Sequence, residues 1–158
     1  RDVAPSRGLG DVYKRQGLVY SSLYAQNLSF YNLSSRNGLS HNTITSIYQD
    51  FRGFMWFATL DGLNLYNGMD IIVYKYEKDN PNSLPNNVIK QITGDHQGNI
   101  FCHTEKGLLK LNIYTQQFST ITSESISDIY FNDSLYFVKG NSIYVYQNER
   151  NEETRWQN

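Results

Sequence analysis

One cysteine and three prolines stand among the 158 residues. A lone Cys102 cannot close an internal disulfide, so no disulfide framework supports the fold, and its thiol is expected to fill an apolar slot. No apolar run approaches the roughly 20 residues that a membrane helix needs. With 14 basic and 15 acidic side chains there is no net field to attract nucleic acid or an anionic membrane surface. Also missing are a nucleophile beside a base, paired carboxylates, a metal-ligand cluster and a phosphate loop. The sequence therefore offers no catalytic residue, no metal site and no cofactor site. His103 follows Cys102, but neighbours in a strand point to opposite faces, so the two do not read as a joint ligand pair. His41 and His96 lack ligand-type spacing.

What the chain does have is a repeat. Shifted by 45 residues, Leu39 to Val73 falls on Leu84 to Phe118 without an insertion. Identical pairs include Leu39/Leu84, Asn42/Asn87, Ile44/Ile89, Ile47/Ile92, Asp50/Asp95, Gly53/Gly98, Thr59/Thr104, Gly62/Gly107 and Leu63/Leu108. A period of about 40–50 residues with several short strands per unit is a propeller signature.

Within the first unit, Thr43 to Gln49 alternates as an inner strand. Asp50 to Gly53 is a turn in which Asp accepts backbone N–H groups and Gly supplies a positive φ. Phe54 to Thr59 is apolar on both faces, as befits a strand between two blades. Leu60-Asp61-Gly62 makes a hairpin, Leu63 to Tyr66 is the third strand, Asn67-Gly68 turns again, and Ile71 to Tyr74 is the outer strand. The second unit repeats this with Val88 to Thr93, Asn99 to Thr104, Leu108 to Asn112 and Gln117 to Ile121, with Phe101 replacing Trp56. Glu77 to Asn86, which carries Pro81 and Pro85, is a crossover. A third unit is degenerate: Ser127 to Phe131, Leu135 to Val138 and Ser142 to Tyr146 are expected strands without a third Asp-x-x-Gly, and Glu149 to Arg155 reads as charged surface.

The fold class expected is all-β: a partial β-propeller of two four-stranded antiparallel blades plus an incomplete third. In residue terms, 39–83 is the first blade, 84–121 the second, and 122–158 a degenerate or truncated third. Propellers typically have 4–8 blades, so the chain reads as part of a domain, and as a poor independent folder because terminal blades expose unpaired edges and uncovered faces. Residues 26–38 are expected to hold an N-terminal strand, Leu28 to Leu33, of the kind that closes many propellers. Residues 17–25 read as a signal-peptide remnant ending Leu-Tyr-Ala, or alternatively as a disordered or strand-forming leader. Asp11 to Gln16 resembles a translated transposase adapter, which makes residues 1–16 a non-native leader; a genuine basic tail is the other reading.

Gly38-Leu39-Ser40-His41-Asn42, Asp50 to Gly53, Met55-Trp56-Phe57-Ala58-Thr59 and Asp61-Gly62-Leu63 together resemble the two-component regulator propeller repeat. Ser83 to Asn112 carries the same pattern, departing at Phe101-Cys102-His103-Thr104. The resemblance implies the periplasmic sensor region of a hybrid two-component system of gut Bacteroidetes, with a histidine kinase, and so the membrane span, lying beyond this chain. It further implies an oligosaccharide ligand, control of glycan-utilisation genes, and a homodimer in the full-length receptor. The fragment itself is not expected to be an enzyme. Two alternatives stay open: a propeller of a carbohydrate-active enzyme such as a lyase, and a protein-binding scaffold. Ligand-binding residues are not fixed by the sequence. Polar turn residues that differ between blades, namely Arg52, His41, Lys90 and His96, are the candidates, while most of the 13 tyrosines are assigned to blade packing.

Overall fold

The computed structural model describes residues 30–147 and the backbone of residues 152–155. The expected leader over 1–16 and the signal-peptide remnant over 17–25 lie outside the described residues.

Among the described residues, twelve strands form three antiparallel four-stranded sheets. The first sheet is a meander of β1 (Ile44–Gln49), β2 (Met55–Thr59), β3 (Gly62–Tyr66) and β4 (Ile71–Tyr74). The second repeats it with β5 (Ile89–Gly94), β6 (Asn99–Thr104), β7 (Gly107–Asn112) and β8 (Gln117–Thr122). The third contains β9 (Asp128–Asn132), β10 (Ser134–Lys139) and β11 (Ser142–Gln147), and a short β12 (Glu152–Arg155) pairs with β11 where the sequence reads as charged surface. In this sheet a tight turn with Asp133 at φ 60 joins the first two strands in place of an Asp-x-x-Gly.

The expected strand over Leu28 to Leu33 lies partly outside the described residues. Its described part, residues 30–33, is irregular and has no strand pairing among the described residues. A strand exists only where a neighbour supplies its hydrogen bonds. Here the chain instead winds into a 3-10 turn, Ser35–Asn37, in which Ser34 O accepts from Asn37 N and Leu39 N.

The blades pack face to face, and the alternation of each strand decides which side chain serves which junction. Trp56, Ala58, Leu63 and Leu65 meet Ile89, Ile92, Ile100, Cys102 and Leu111 in one core. Trp56 stacks on Tyr74 at 5.9 Å, and Phe118 meets Tyr74 edge-on. One repeat later, Phe101 and Leu108 form the second core with Ile126, Ile129, Leu135 and Phe137. Phe101 thus does for the next junction what Trp56 does for the first. Burying a ring of this kind stabilises by about 1.5–3 kcal/mol relative to exposure.

Polar bonds fasten the inner strands to one another. A bulge opens each ladder after the first residue of the inner strand, between Ile44 and Ser46 and between Ile89 and Gln91. The residue after each bulge then turns to the next blade. Ser46 Oγ accepts from Ile92 N at 3.2 Å and donates to Ile92 O at 3.5 Å. Gln91, its counterpart, accepts from Ile129 N at 3.1 Å through Oε1 and donates to Ile129 O at 3.0 Å through Nε2.

Among the described residues, nothing packs on the outward face of the first blade. Ile44 and Ile47 are 37% and 56% exposed, whereas their counterparts Ile89 and Ile92, packed against the first blade, are 0% and 5% exposed. These side chains have the pattern of a blade interface without a blade upon it.

Candidate functional site

Because every blade starts its inner strand at the same end, the loops sort into two rims. The β1–β2 and β5–β6 turns lie on one; the β2–β3 and β6–β7 turns and the crossover lie on the other.

On the first rim, Asp50 organises its turn. Its Oδ1 accepts from Arg52 N at 2.9 Å and Phe54 N at 3.1 Å, and its Oδ2 accepts from Trp56 Nε1 at 3.0 Å and from the Arg52 guanidinium at 2.7 Å. Burial by itself would push this carboxyl up. The hydrogen bonds from Arg52 and Trp56 and from the Arg52 backbone outweigh it and hold the group below the usual carboxylate range. In the second blade Asp95 binds Gln97 N and Asn99 N, and Asn99 Nδ2 takes the place of the indole at 2.7 Å. Gly53 and Gly98 take φ of 85 and 93, as the turn requires. Sequence reasoning identified the backbone bonds but missed the indole bond, whose signal is a Trp six residues after the Asp.

On the other rim, Asp61 accepts from Lys75 Nζ and from Asn87 Nδ2, the latter at 2.9 Å. The Lys75 hydrogen bond is the chief reason its carboxyl titrates low. Gly62 N donates to Asn87 O at 2.8 Å, so this turn is stitched to the blade that follows. Gly107, the counterpart of Gly62, has φ 109, and a Cβ there would meet Thr122 O at 2.0 Å.

The four candidate residues are not brought together. Arg52 is engaged by Asp50 and lies over the Phe54 ring at 4.8 Å, a packing role. His96 is exposed in the equivalent turn of the second blade. His41 sits on the opposite rim, its Nδ1 accepting from Thr43 N at 2.9 Å. Lys90 is the exposed bulge residue of β5. Two therefore lie on each rim.

Cys102 is buried, and burial pushes its thiol up to about 12, which leaves no thiolate for chemistry near neutral pH. It faces the first junction, whereas His103 faces the second, 3% exposed and with no well-formed hydrogen bond to either ring nitrogen. Burial, and then the nearby Lys90 charge, lower the His103 pKa and keep the imidazole neutral. Among the described residues no group of three or more His, Cys, Asp or Glu side chains could hold a metal ion. No helix among them is long and apolar enough to cross a membrane.

Residues 38–61 match the family described as two component regulator propeller. That span runs from Gly38 through the Asp50 turn and the Trp56 strand to the Asp61 hairpin. Over these residues the first blade is similar to a two component regulator propeller repeat. The second blade, with the same register of Asp, Gly and Thr, continues it in geometry. The solved structures that resemble the chain over most of its length include two extracellular domains. The extracellular domain of the hybrid two component system BT3049 from B. thetaiotaomicron is 27% identical with a TM-score of 0.68, and the match covers 80% of this chain and 20% of that one. The extracellular domain of the hybrid two component system BT4673 from the same organism is 15% identical with a TM-score of 0.62, over 72% of this chain and 16% of that one, and shares the fold. The propeller repeats here thus span about a fifth or less of those chains. No curated protein sequence matches the chain.

Proposed function

We propose that this chain is part of the ligand-sensing, periplasmic propeller region of a hybrid two-component system, and that its ligand is an oligosaccharide released from a complex glycan. The observation that carries this reading is the Asp50-to-Asp61 repeat built as a blade, combined with the likeness to the extracellular domain of a hybrid two component system. The interlocked blades, with side chains bonded across each inner-strand junction, suit a rigid platform better than a moving part. Ligand binds at a rim or at a junction with another propeller or protomer, and its differential affinity for two arrangements of a dimer carries the signal.

The test is a thermal-shift screen against soluble oligosaccharides. A ligand at a hundredfold excess over its dissociation constant stabilises the folded state by about 2.7 kcal/mol. Equal affinity of that ligand for the kinase-on and kinase-off forms of the whole receptor would refute the signalling step.

A further inference from the structure

On the rim that carries the crossover, a cleft runs between Tyr76, Pro85, Asn86 and Lys106. It continues past Tyr76 and Pro85 towards Phe118 and Thr120. Most polar groups bordering it are engaged within the protein. Asn87 Oδ1 accepts from Tyr76 N at 2.6 Å while its amide serves Asp61, and Asn80 and Ser83 bind Glu77. In the part lined by Tyr76, Pro85, Asn86, Asn87 and Lys106, three side-chain groups are different. Among the described residues, Tyr76 Oη, Asn86 Nδ2 and Lys106 Nζ make no bond or ion pair.

Each of the three is held by its backbone or by a neighbour. The bond from Tyr76 N to Asn87 fixes the base of a ring that is 53% exposed. Asn86 Oδ1 accepts from Val88 N at 2.6 Å, which leaves its Nδ2 as a fixed, outward donor. His41, the counterpart of Asn86, makes the same bond to Thr43 N. Lys106 N donates to Thr104 Oγ1 at 3.1 Å, as Asp61 N does to Thr59 Oγ1. Lys106 is therefore the counterpart of Asp61 with its charge reversed. Asp61 is bound by Lys75 and Asn87, whereas Lys106 directs an unengaged cation at the cleft.

An open aromatic face, an amide donor and a cation, side by side and otherwise unengaged, match a sugar ring bearing an anionic substituent. We infer that this cleft is a ligand subsite for an acidic saccharide: the ring lies on Tyr76, a hydroxyl accepts from Asn86 Nδ2, and a carboxylate or sulfate accepts from Lys106 Nζ. The inference rests on the sensor reading above and adds the charge class of the ligand and its place.

The experiment titrates the full chain with oligogalacturonates, with sulfated chondroitin oligosaccharides and with neutral cello-oligosaccharides, following binding by calorimetry. The same titrations are run on Lys106→Gln, Lys106→Asp and Tyr76→Ala. All three side-chain changes are at the surface, and circular dichroism checks the fold. One acidic series is expected to bind, its identity distinguishing carboxylate from sulfate. Its affinity should fall at least tenfold in Lys106→Gln and Tyr76→Ala, further in Lys106→Asp, and steeply with salt. Acidic saccharide bound equally well by all variants would overturn the subsite and leave the sensor reading standing. A neutral saccharide bound equally by wild type and Lys106→Gln would overturn the charge class. Failure of every saccharide to bind would overturn both the subsite and the oligosaccharide reading.

Discussion

Replacing Asp50 by Asn changes one atom at the centre of the first blade's turn. Oδ1 can still accept from Arg52 N and Phe54 N, so the amide must keep that orientation and point its NH2 where Oδ2 was. There it faces the Trp56 Nε1–H and the Arg52 guanidinium, donor against donor. The indole is fully buried and cannot turn over to offer an acceptor. A buried donor left unsatisfied costs about 1–3 kcal/mol. The Arg52 side chain is 29% exposed, and solvent screening limits its ion pair to about 1 kcal/mol or less. Together they give an expected loss of about 2–3 kcal/mol.

The second blade supplies the control. In Asp95→Asn the new NH2 faces Asn99 Nδ2, but that amide can rotate by half a turn and present Oδ1, giving up only a 3.4 Å bond from Asn112. Its cost should be about 1 kcal/mol or less. Urea unfolding followed by circular dichroism and tryptophan emission measures both, from shifts in midpoint at constant slope. Acid adds a second arm. Asp50 contributes fully above its unfolded value of about 4, and the contribution fades as pH falls through the lower folded-state value. Asp50→Asn should lose that part of the acid limb. Equal costs for the two substitutions, within about 0.5 kcal/mol, would refute the reasoning, because the indole's inability to flip and the Arg52 ion pair are what separate them.

His103 gives a pH dependence nearer neutrality. Its folded-state pKa lies below its unfolded value of about 6.5, so stability is expected to decline as pH falls from there through the folded-state value, and His103→Leu should remove the slope; unfolding midpoints between pH 5 and 8 decide it. Ile47→Lys should change stability by no more than about 0.5 kcal/mol and reduce self-association in sedimentation, while Ile92→Lys, the same position one blade later, should cost about 3 kcal/mol or more because it buries an unpaired charge. Cys102 should react with a thiol reagent at pH 8 only when the second blade opens, so its labelling rate should follow unfolding and rise with urea.

How much of this could be read in the sequence depends on whether a role is tied to one residue type. The turn at Asp50 was legible because an acceptor at its start and a positive φ at its end admit few alternatives, and both recur at Asp95 and Gly98. Strand boundaries followed, since a period of two and a fixed turn leave little freedom in a four-stranded meander. The inner-strand fastening was not legible. Ser46 and Gln91 do the same work, binding the N–H and C=O of one residue in the next blade, yet share neither size nor side-chain chemistry. What is common to them is a place, the residue after a bulge, and the bulge itself left no mark in the alternation of Ile44 to Gln49. The rim was hidden for a related reason. Asp61 and Lys106 are unlike residues in like turns, and a comparison that seeks identities passes over them. The difference matters only once the structure shows that the Asp61 carboxylate is held by Lys75 and Asn87 and that the Lys106 ammonium has no partner among the described residues. In a repeat protein, then, identical positions mark how the blades are built, and the positions where a conserved backbone carries an altered charge are where blades can differ in what they bind.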